Sequence, residues 1–518
     1  MKLNYKRTIF VGFAFFLILT FWQTYDTIVP KILTDKFGLG QTASGVIMAI
    51  DNVLALFMLP LFGGLSDKCK SRFGRRTPFI VIGTLVACVC FVMMSVADNV
   101  QLAKLKDVTP EAENSLSVLY DADLTVKITT DEIDGEFKEL KDPIEVKLTE
   151  KFTREQFTSI KTEDENQKVT DEYNAYVIPA RQAYAAKVTA ENPGGLIFFI
   201  SMLLLTLIAM STFRSPAVAL MPDVTIKPLR SKGNAVINLM GAVGGITILV
   251  LGIILGTGNY KNALMSYIPF FSIAAAIMLI ALAVFIFTVR EPQFAREMEE
   301  ESRRLGIDTV GDEESDEIQS ASGDRKLSRG ELISLFMILA SVILWYMGYN
   351  AVSSKYSVYA TNVLQLDYNL TLMISTGAAI VSYLPVGIIS SKFGRKKMIM
   401  AGVVMLGVAF FVASFMRSGS SLAVMNLMFI LAGIGWATIN VNSYPMVVEL
   451  ARGGDVGKYT GFYYTASMAA QTVTPILSGF FMDIKMTSLF VYATVCVFAA
   501  LITMFFVRHG DTVPTETK

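Results

Sequence analysis

Only one histidine, His509, occurs in 518 residues, and it stands in the C-terminal tail. That leaves no material for a histidine metal centre, for Ser-His-Asp hydrolysis or for a buried histidine proton relay. Cysteine is nearly as scarce. Cys69, Cys88, Cys90 and Cys496 show no C-x-x-C spacing, which argues against a disulfide framework. Charge is thin too: 17% of residues are Asp, Glu, Lys or Arg, against roughly 25% in a soluble chain. No phosphate-binding loop for ATP occurs, so active uptake would have to draw on a gradient. No catalytic constellation is visible, which points away from an enzyme, and no cofactor or metal site is expected.

What is abundant is apolar. Hydrophobic residues make up 53% of the chain, and they gather into long runs free of charge. A hydrocarbon core of ~30 Å takes ~20 apolar residues in a helix. Twelve stretches qualify: 8–33, 42–65, 78–97, 195–221, 233–256, 265–289, 333–357, 370–390, 398–416, 422–447, 458–482 and 487–507. The first is too long for a cleaved signal peptide and lacks an Ala-x-Ala site, so it counts as a span.

Lys and Arg sit in alternate short loops: Lys2, Lys6 and Arg7; Lys68 to Arg76; Lys227 to Lys232; Lys392 to Lys397. By the positive-inside rule both termini are cytoplasmic, in a multi-pass protein of the cell membrane. Residues 98–193, with 21 acidic and 12 basic residues, then lie outside. The alternating stretches 123–130 and 144–148 predict strands there, so a small α+β insertion is expected. Residues 291–332 form a cytoplasmic linker, acidic and helix-prone early, with a Ser-, Asp- and Gly-rich middle that reads as disordered.

Polar residues are distributed with a period of three spans. Spans 3, 6, 9 and 12 carry no Asp, Glu, Lys, Arg, Asn or Gln inside, whereas spans 1, 2, 4, 5, 7, 10 and 11 each carry at least one. Polar groups in hydrocarbon face a bundle interior or a wet path. The predicted fold is therefore all-α and membrane-embedded, with twelve helices in two six-helix halves built from three-helix repeats. The domains are helices 1–3 (1–97), the insertion (98–193), helices 4–6 (194–290), the linker (291–332), and helices 7–12 with the tail (333–518).

A repeated loop supports the two halves. After span 2 comes Gly63, Asp67, Arg72, Gly74, Arg75 and Arg76; six spans later comes Gly387, Gly394 and Arg395. Each is a small residue near a helix end, a tight glycine turn and a basic cluster. This pattern predicts a gating motif in which Asp67 and Arg72, with Arg75 nearby, close the cytoplasmic side.

The first loop, Ser66-Asp-Lys-Cys-Lys-Ser-Arg-Phe-Gly-Arg-Arg-Thr-Pro-Phe-Ile80, resembles that of the major facilitator superfamily. Its form is similar to the plant sucrose/proton symporters and their animal and bacterial relatives, among the glycoside–pentoside–hexuronide:cation symporter-type transporters, differing at Lys68, Lys70 and Thr77. Gly461, Gln471 and Gly479 in span 11 are a second echo. The resemblance covers the twelve helices and not the insertion. It departs in span 4, where Arg214 precedes Pro216 and Val218 stands at the place of the family's arginine. It implies alternating access and symport of a sugar.

The residues themselves suggest where the chemistry lies. Asp51, about nine residues from the outer end of span 2, falls near mid-bilayer, where an ionised carboxylate is costly and a proton can follow hydration. Asp26 is the reserve, and Arg214 either snorkels to the interface or pairs with a carboxylate. Trp22, Gln23 and Asp26 share a helical face by i,i+3 and i,i+4 spacing and suit a sugar's apolar and hydroxyl faces. Asn52, Asn238, Tyr346, Tyr349, Asn350, Asn440 and Gln471 add amides and rings with little charge, which suits a neutral polyol. The predicted function is proton-coupled symport of a small neutral mono- or disaccharide by alternating access, with sodium as the other candidate coupling ion. The alternatives are an antiporter exporting an organic solute, and a sensor acting through the insertion. The lipid bilayer is the other partner; no nucleic acid is expected, and a monomer is.

Overall fold

The computed structural model describes residues 3–134, 136–165, 169–226, 229–259, 262–304, 329–448 and 456–509. The linker's middle, expected to be disordered, lies outside the described residues. Among the described residues, twelve long helices form the body. The first six are α1 (Tyr5–Lys31), α2 (Gln41–Asp67), α3 (Thr77–Lys104), α4 (Gly194–Asp223), α5 (Arg230–Leu255) and α6 (Ile268–Thr288). The second six are α7 (Arg329–Tyr359), α8 (Tyr368–Phe393), α9 (Arg395–Ser414), α10 (Leu422–Val448), α11 (Val456–Ile484) and α12 (Ser488–Phe505). Among the described residues, ten helices are long and apolar enough to cross a membrane alone. α8 and α11 complete the set by position, α8 packed on α10 and α5, α11 on α2 and α7. The protein is a multi-pass membrane protein.

The halves repeat one packing plan. α2 packs on α4 as α8 does on α10, α3 on α4 as α9 on α10, and α3 on α6 as α9 on α12. Each half has its own apolar core, one around Phe21, Phe91 and Phe271, the other around Trp345, Tyr356 and Phe490. α1 and α7 also end alike, in a π-helical turn at Ile32–Lys36 and at Ala360–Leu364.

The insertion is a third body with its own core, around Leu119, Val126, Phe157 and Tyr176. The two predicted strands form one antiparallel hairpin, β1 (Thr125–Ile133) with β2 (Glu136–Lys147), in register at Val126 and Val146 and bulged between Ile128 and Thr130. The second strand starts well before 144. The helix Ile178–Glu191 packs across the hairpin. α3 enters this region unbroken to Lys104, past the expected end at 97, because Asp98 and Gln101 are buried against partners there.

The halves meet along α2 with α11, α5 with α8, and α1 with α7. At the insertion end this contact is tight. Gly45 of α2 lies against the Pro475 carbonyl, and Gly479 of α11 against the Gln41 carbonyl, so neither position has room for a methyl group. Lys31 donates to the Thr257 carbonyl at 2.7 Å and to Thr361 Oγ1 at 3.3 Å. At the linker end, a methyl placed on Gly64 of α2 or Gly387 of α8 would meet nothing within 4 Å. The bundle is closed at the insertion end.

Candidate functional site

A cavity of about 190 Å³ lies where α1, α2, α4, α7 and α11 converge, so both halves wall it. α3, α6, α9 and α12 contribute nothing to its lining, as their apolar composition predicts. The 3.6-residue repeat puts Trp22 and Asp26 on one stripe of α1, and both face the cavity. Asp51 and Asn52 arrive from α2, Arg214 from α4, Asn350 from α7 and Gln471 from α11.

The contacts are specific. Asn52 Nδ2 donates to Asp51 Oδ1 at 2.7 Å and reaches the Gln471 carbonyl at 3.5 Å, spanning the two halves. Tyr25 donates to the Met48 carbonyl at 3.1 Å and ties α1 to α2. The Arg214 guanidinium lies over the Trp22 ring, 5.1 Å from its centre, a cation–π arrangement that fixes both. Arg214 thus turns into the bundle and does not snorkel to the interface. The Trp22 ring and a cavity that Asp26 and Asp51 also line supply, inside the bundle, the partners a cation would otherwise find at the interface. Among the described residues, the Trp22 Nε1 and Asn350 Nδ2 donors are buried without a partner, an expensive condition unless a bound group answers it.

Other predicted residues fall elsewhere. Gln23, about 100° round the helix from Trp22, points its amide oxygen at Gly245 of α5. Asn238 is exposed on α5, and Asn440 is half-buried on α10 outside the cavity wall. Tyr349 stacks on Trp436 with ring centres 3.6 Å apart. Tyr346 meets the same indole edge-on at 5.3 Å, and its hydroxyl lies 3.3 Å from that of Tyr463. Trp436 organises this aromatic group and was not expected from sequence. It is a lone ring in an apolar run; its signal was being one of three tryptophans.

At the linker end the repeated motif takes the shape its glycines require. Gly74 and Gly394 have φ of +107° and +87°, which side-chain-bearing residues rarely adopt. Asp67 pairs with Arg76 at 2.5 Å, not with Arg72, whose guanidinium lies over Phe73. Arg76 and Arg75 also pair with Asp223 of α4, at 2.8 and 2.7 Å. Burial alone would lower the Arg76 pKa, but Asp223 and Asp67 outweigh it and hold the guanidinium above its ordinary value. Gly63 lies beside Ser215 of the same half, and Arg395 opens α9.

Two family models match: Major Facilitator Superfamily over residues 367–518, and MFS/sugar transport protein over residues 10–108. The chain is 29% identical over 106 residues to proton-associated sugar transporter A of Homo sapiens, covering 20% of this chain and 14% of that one. It is 29% identical over 86 residues to sucrose transport protein SUT3 of Oryza sativa subsp. indica, covering 17% and 16%. The matched stretches thus span about one-sixth of these relatives' length. The inward-open xylose transporter XylE from E. coli superposes with a TM-score of 0.57 at 14% identity, covering 99% of this chain and 98% of that one. A peptide transporter POT in complex with alafosfalin superposes at 0.59 and 12% identity, covering 97% and 93%. Two six-helix halves around a shared central cavity are the architecture this chain shares with those solved structures. Over the two stretches that the family models match, the chain is similar to the major facilitator superfamily, and its fold is that of the solved members.

Proposed function

We propose that the protein is a secondary active transporter that carries a small neutral sugar, with protons as the coupling ion, by alternating access. The observation that carries this reading is the wall of the central cavity. Two carboxylates, Asp26 and Asp51, and the Arg214 guanidinium face one space with the unanswered donors of Trp22 and Asn350. Sugar hydroxyls both donate and accept, so they can satisfy these donors and the acceptors of Asp51 and Gln471 together. The Trp22 ring supplies the apolar face that a pyranose buries. An ionised carboxylate in the bundle centre is costly, and its proton can come and go as the cavity is hydrated from either side. Arg214, within electrostatic reach of both carboxylates, offers the cation that can replace a proton. On this reading the insertion lies outside and both termini lie inside.

The test is counterflow in proteoliposomes with a panel of labelled mono- and disaccharides, followed by uptake driven by a pH gradient or a sodium gradient. Asp51→Asn keeps shape and hydrogen bonding but carries no proton. It should still exchange the accepted sugar and lose accumulation against a gradient, with Asp26→Asn run in parallel. Undiminished proton-driven accumulation by Asp51→Asn removes Asp51 from coupling. Silence of the whole panel removes the sugar.

A further inference from the structure

The insertion is fastened firmly to the first half. α3 runs into it as one helix. Gln101 donates to Thr189 Oγ1 at 2.9 Å and to the Lys36 carbonyl at 3.1 Å. Gly38, at φ +65°, lies so close to the backbone of Ala186 and Gln182 that no side chain fits. Lys36 and Asp98 close the joint with an ion pair at 2.6 Å, both side chains fully buried.

The insertion meets the second half through a different kind of contact. Lys127 on the hairpin donates to the Asp483 carbonyl, 3.1 Å away, at the end of α11. The Asp483 carboxylate in turn accepts from the amides of Gln41 and Thr42, at 2.6 and 2.7 Å, and from the Thr42 hydroxyl. These are the first two residues of α2. From α7 the fully buried Lys355 donates to the Gln41 carbonyl at 2.8 Å. The first turn of α2 is thus gripped on its amide side by Asp483 and on its carbonyl side by Lys355, both from the opposite half. Beside this junction a cleft of about 580 Å³ separates the hairpin from the second half.

We infer that Asp483 and Lys355 are gate residues of the insertion end, and that the insertion, through Lys127, reinforces their closed arrangement. The inference rests on the alternating-access reading, which requires this end to open. Charge suits a gate better than packing does. When α2 leaves α11, an apolar clamp would expose its surface to water at full cost. A carboxylate and an ammonium exchange protein partners for water instead, so both states are satisfied and the gap between them stays small. Lys127 is exposed and weak alone. Because its hairpin moves with the first half, however, its bond to Asp483 must break whenever the gate opens.

The experiment reads distance and needs no solute. Spin labels are placed at Lys187 on the insertion helix and Ser421 before α10, in the full chain with Cys69→Ser, reconstituted in lipid nanodiscs. The parent should show one dominant short distance. Asp483→Asn and Lys355→Met should each add a longer population at least several-fold larger than in the parent. Lys127→Met should add a smaller one, and Asp483→Glu should stay near the parent. Parent-like distances in Asp483→Asn and Lys355→Met overturn the gate; a parent-like Lys127→Met overturns the role of the insertion. If Asp483→Asn does not fold, Thr42→Val removes only the hydroxyl link and should show the same shift, its absence counting against the gate. A distance shift without counterflow of any sugar keeps the gate and removes the substrate reading; counterflow without a shift does the reverse.

Discussion

The same piece of chemistry is used at both ends of the bundle, once within a half and once between halves. At the linker end, the Glu291 carboxylate accepts from the amides of Arg75, Arg76 and Thr77, at 2.8, 2.9 and 2.8 Å, and from the Thr77 hydroxyl. It caps the N-terminus of α3 from the first residue of the linker, three positions past α6 and joined directly to the same half. At the insertion end, Asp483 caps the N-terminus of α2 from α11, in the other half. A carboxylate at a helix N-terminus answers otherwise orphaned amides and the helix dipole alike in both places. What differs is whether cap and helix can separate without unfolding. Glu291 is therefore a stability residue and Asp483 a switch, and the Arg76–Asp67–Asp223 cluster beside Glu291 is also confined to the first half in this conformation.

The sharpest way to test the rigid side of that comparison is Asp98→Asn. Lys36 and Asp98 are both fully buried, and losing one charge leaves the other uncompensated, at a cost of about 3–5 kcal/mol. Folded yield on size exclusion and thermal unfolding in detergent should both fall steeply. Lys36→Met with Asp98→Leu should recover much of the loss, since an apolar pair carries no such charge. Recovery failing entirely would mean the pair does more than fill space.

Glu291→Ala comes next. It leaves the first amides of α3 and the Thr77 hydroxyl without their acceptor in a buried place, at a cost of about 2 kcal/mol. The apparent Tm should drop while the Lys187–Ser421 distance stays as in the parent. A longer distance in this variant would break the distinction between the two caps.

The third test concerns the insertion alone. Partial burial pushes the Asp131 carboxyl up, but bonds from Lys151 and Tyr176 outweigh it and hold it below the ordinary carboxylate range. Burial and Asp131 together push the Tyr176 hydroxyl above its ordinary value. A lowered acid stabilises the fold above its unfolded pKa of ~3.9 and loses that contribution as pH falls through the folded value. Hydrogen exchange across 125–147 should therefore quicken below about pH 4, and Asp131→Asn should flatten that rise. An equal acid response in the variant would assign it to other carboxylates.

The sequence carried the body of the fold because hydropathy and the alternation of basic loops report directly on membrane transfer. It carried the Trp22–Asp26 stripe and Asp51 because polar residues in long apolar runs are conspicuous. Gln23 misled for a geometric reason: i,i+3 proximity to Asp26 still leaves it one residue round from Trp22, facing α5. The clamp was not legible. Lys31, Lys36, Lys355, Asp98 and Asp483 sit at helix ends, where polar residues read as ordinary water-facing termini. Only their partners, tens to hundreds of positions away, reveal them as buried or bridging.

The smallest effect belongs to the residue that the repeated motif made most prominent. Asp67 is 57% exposed at its side chain, and its partner Arg76 keeps Asp223 and the Ser66 hydroxyl when Asp67 is gone. An ion pair so hydrated contributes at most about 1 kcal/mol, so Asp67→Asn should barely move the apparent Tm in the conformation closed at the insertion end. Its consequence should appear in the other state. When the linker end closes, the end of α2 approaches the second half, and a charge with only a partial share in its own half's cluster is free to answer a partner across the interface. Asp67→Asn should then reduce the population closed at the linker end. That population is read by maleimide labelling of Ser353→Cys, in the central cavity, from the linker side of sealed vesicles. Faster labelling at an unchanged Tm fits a charge used in one state only. Unchanged labelling with a lowered Tm would make Asp67 a brace like Glu291, and both ends of α2 would then differ in kind.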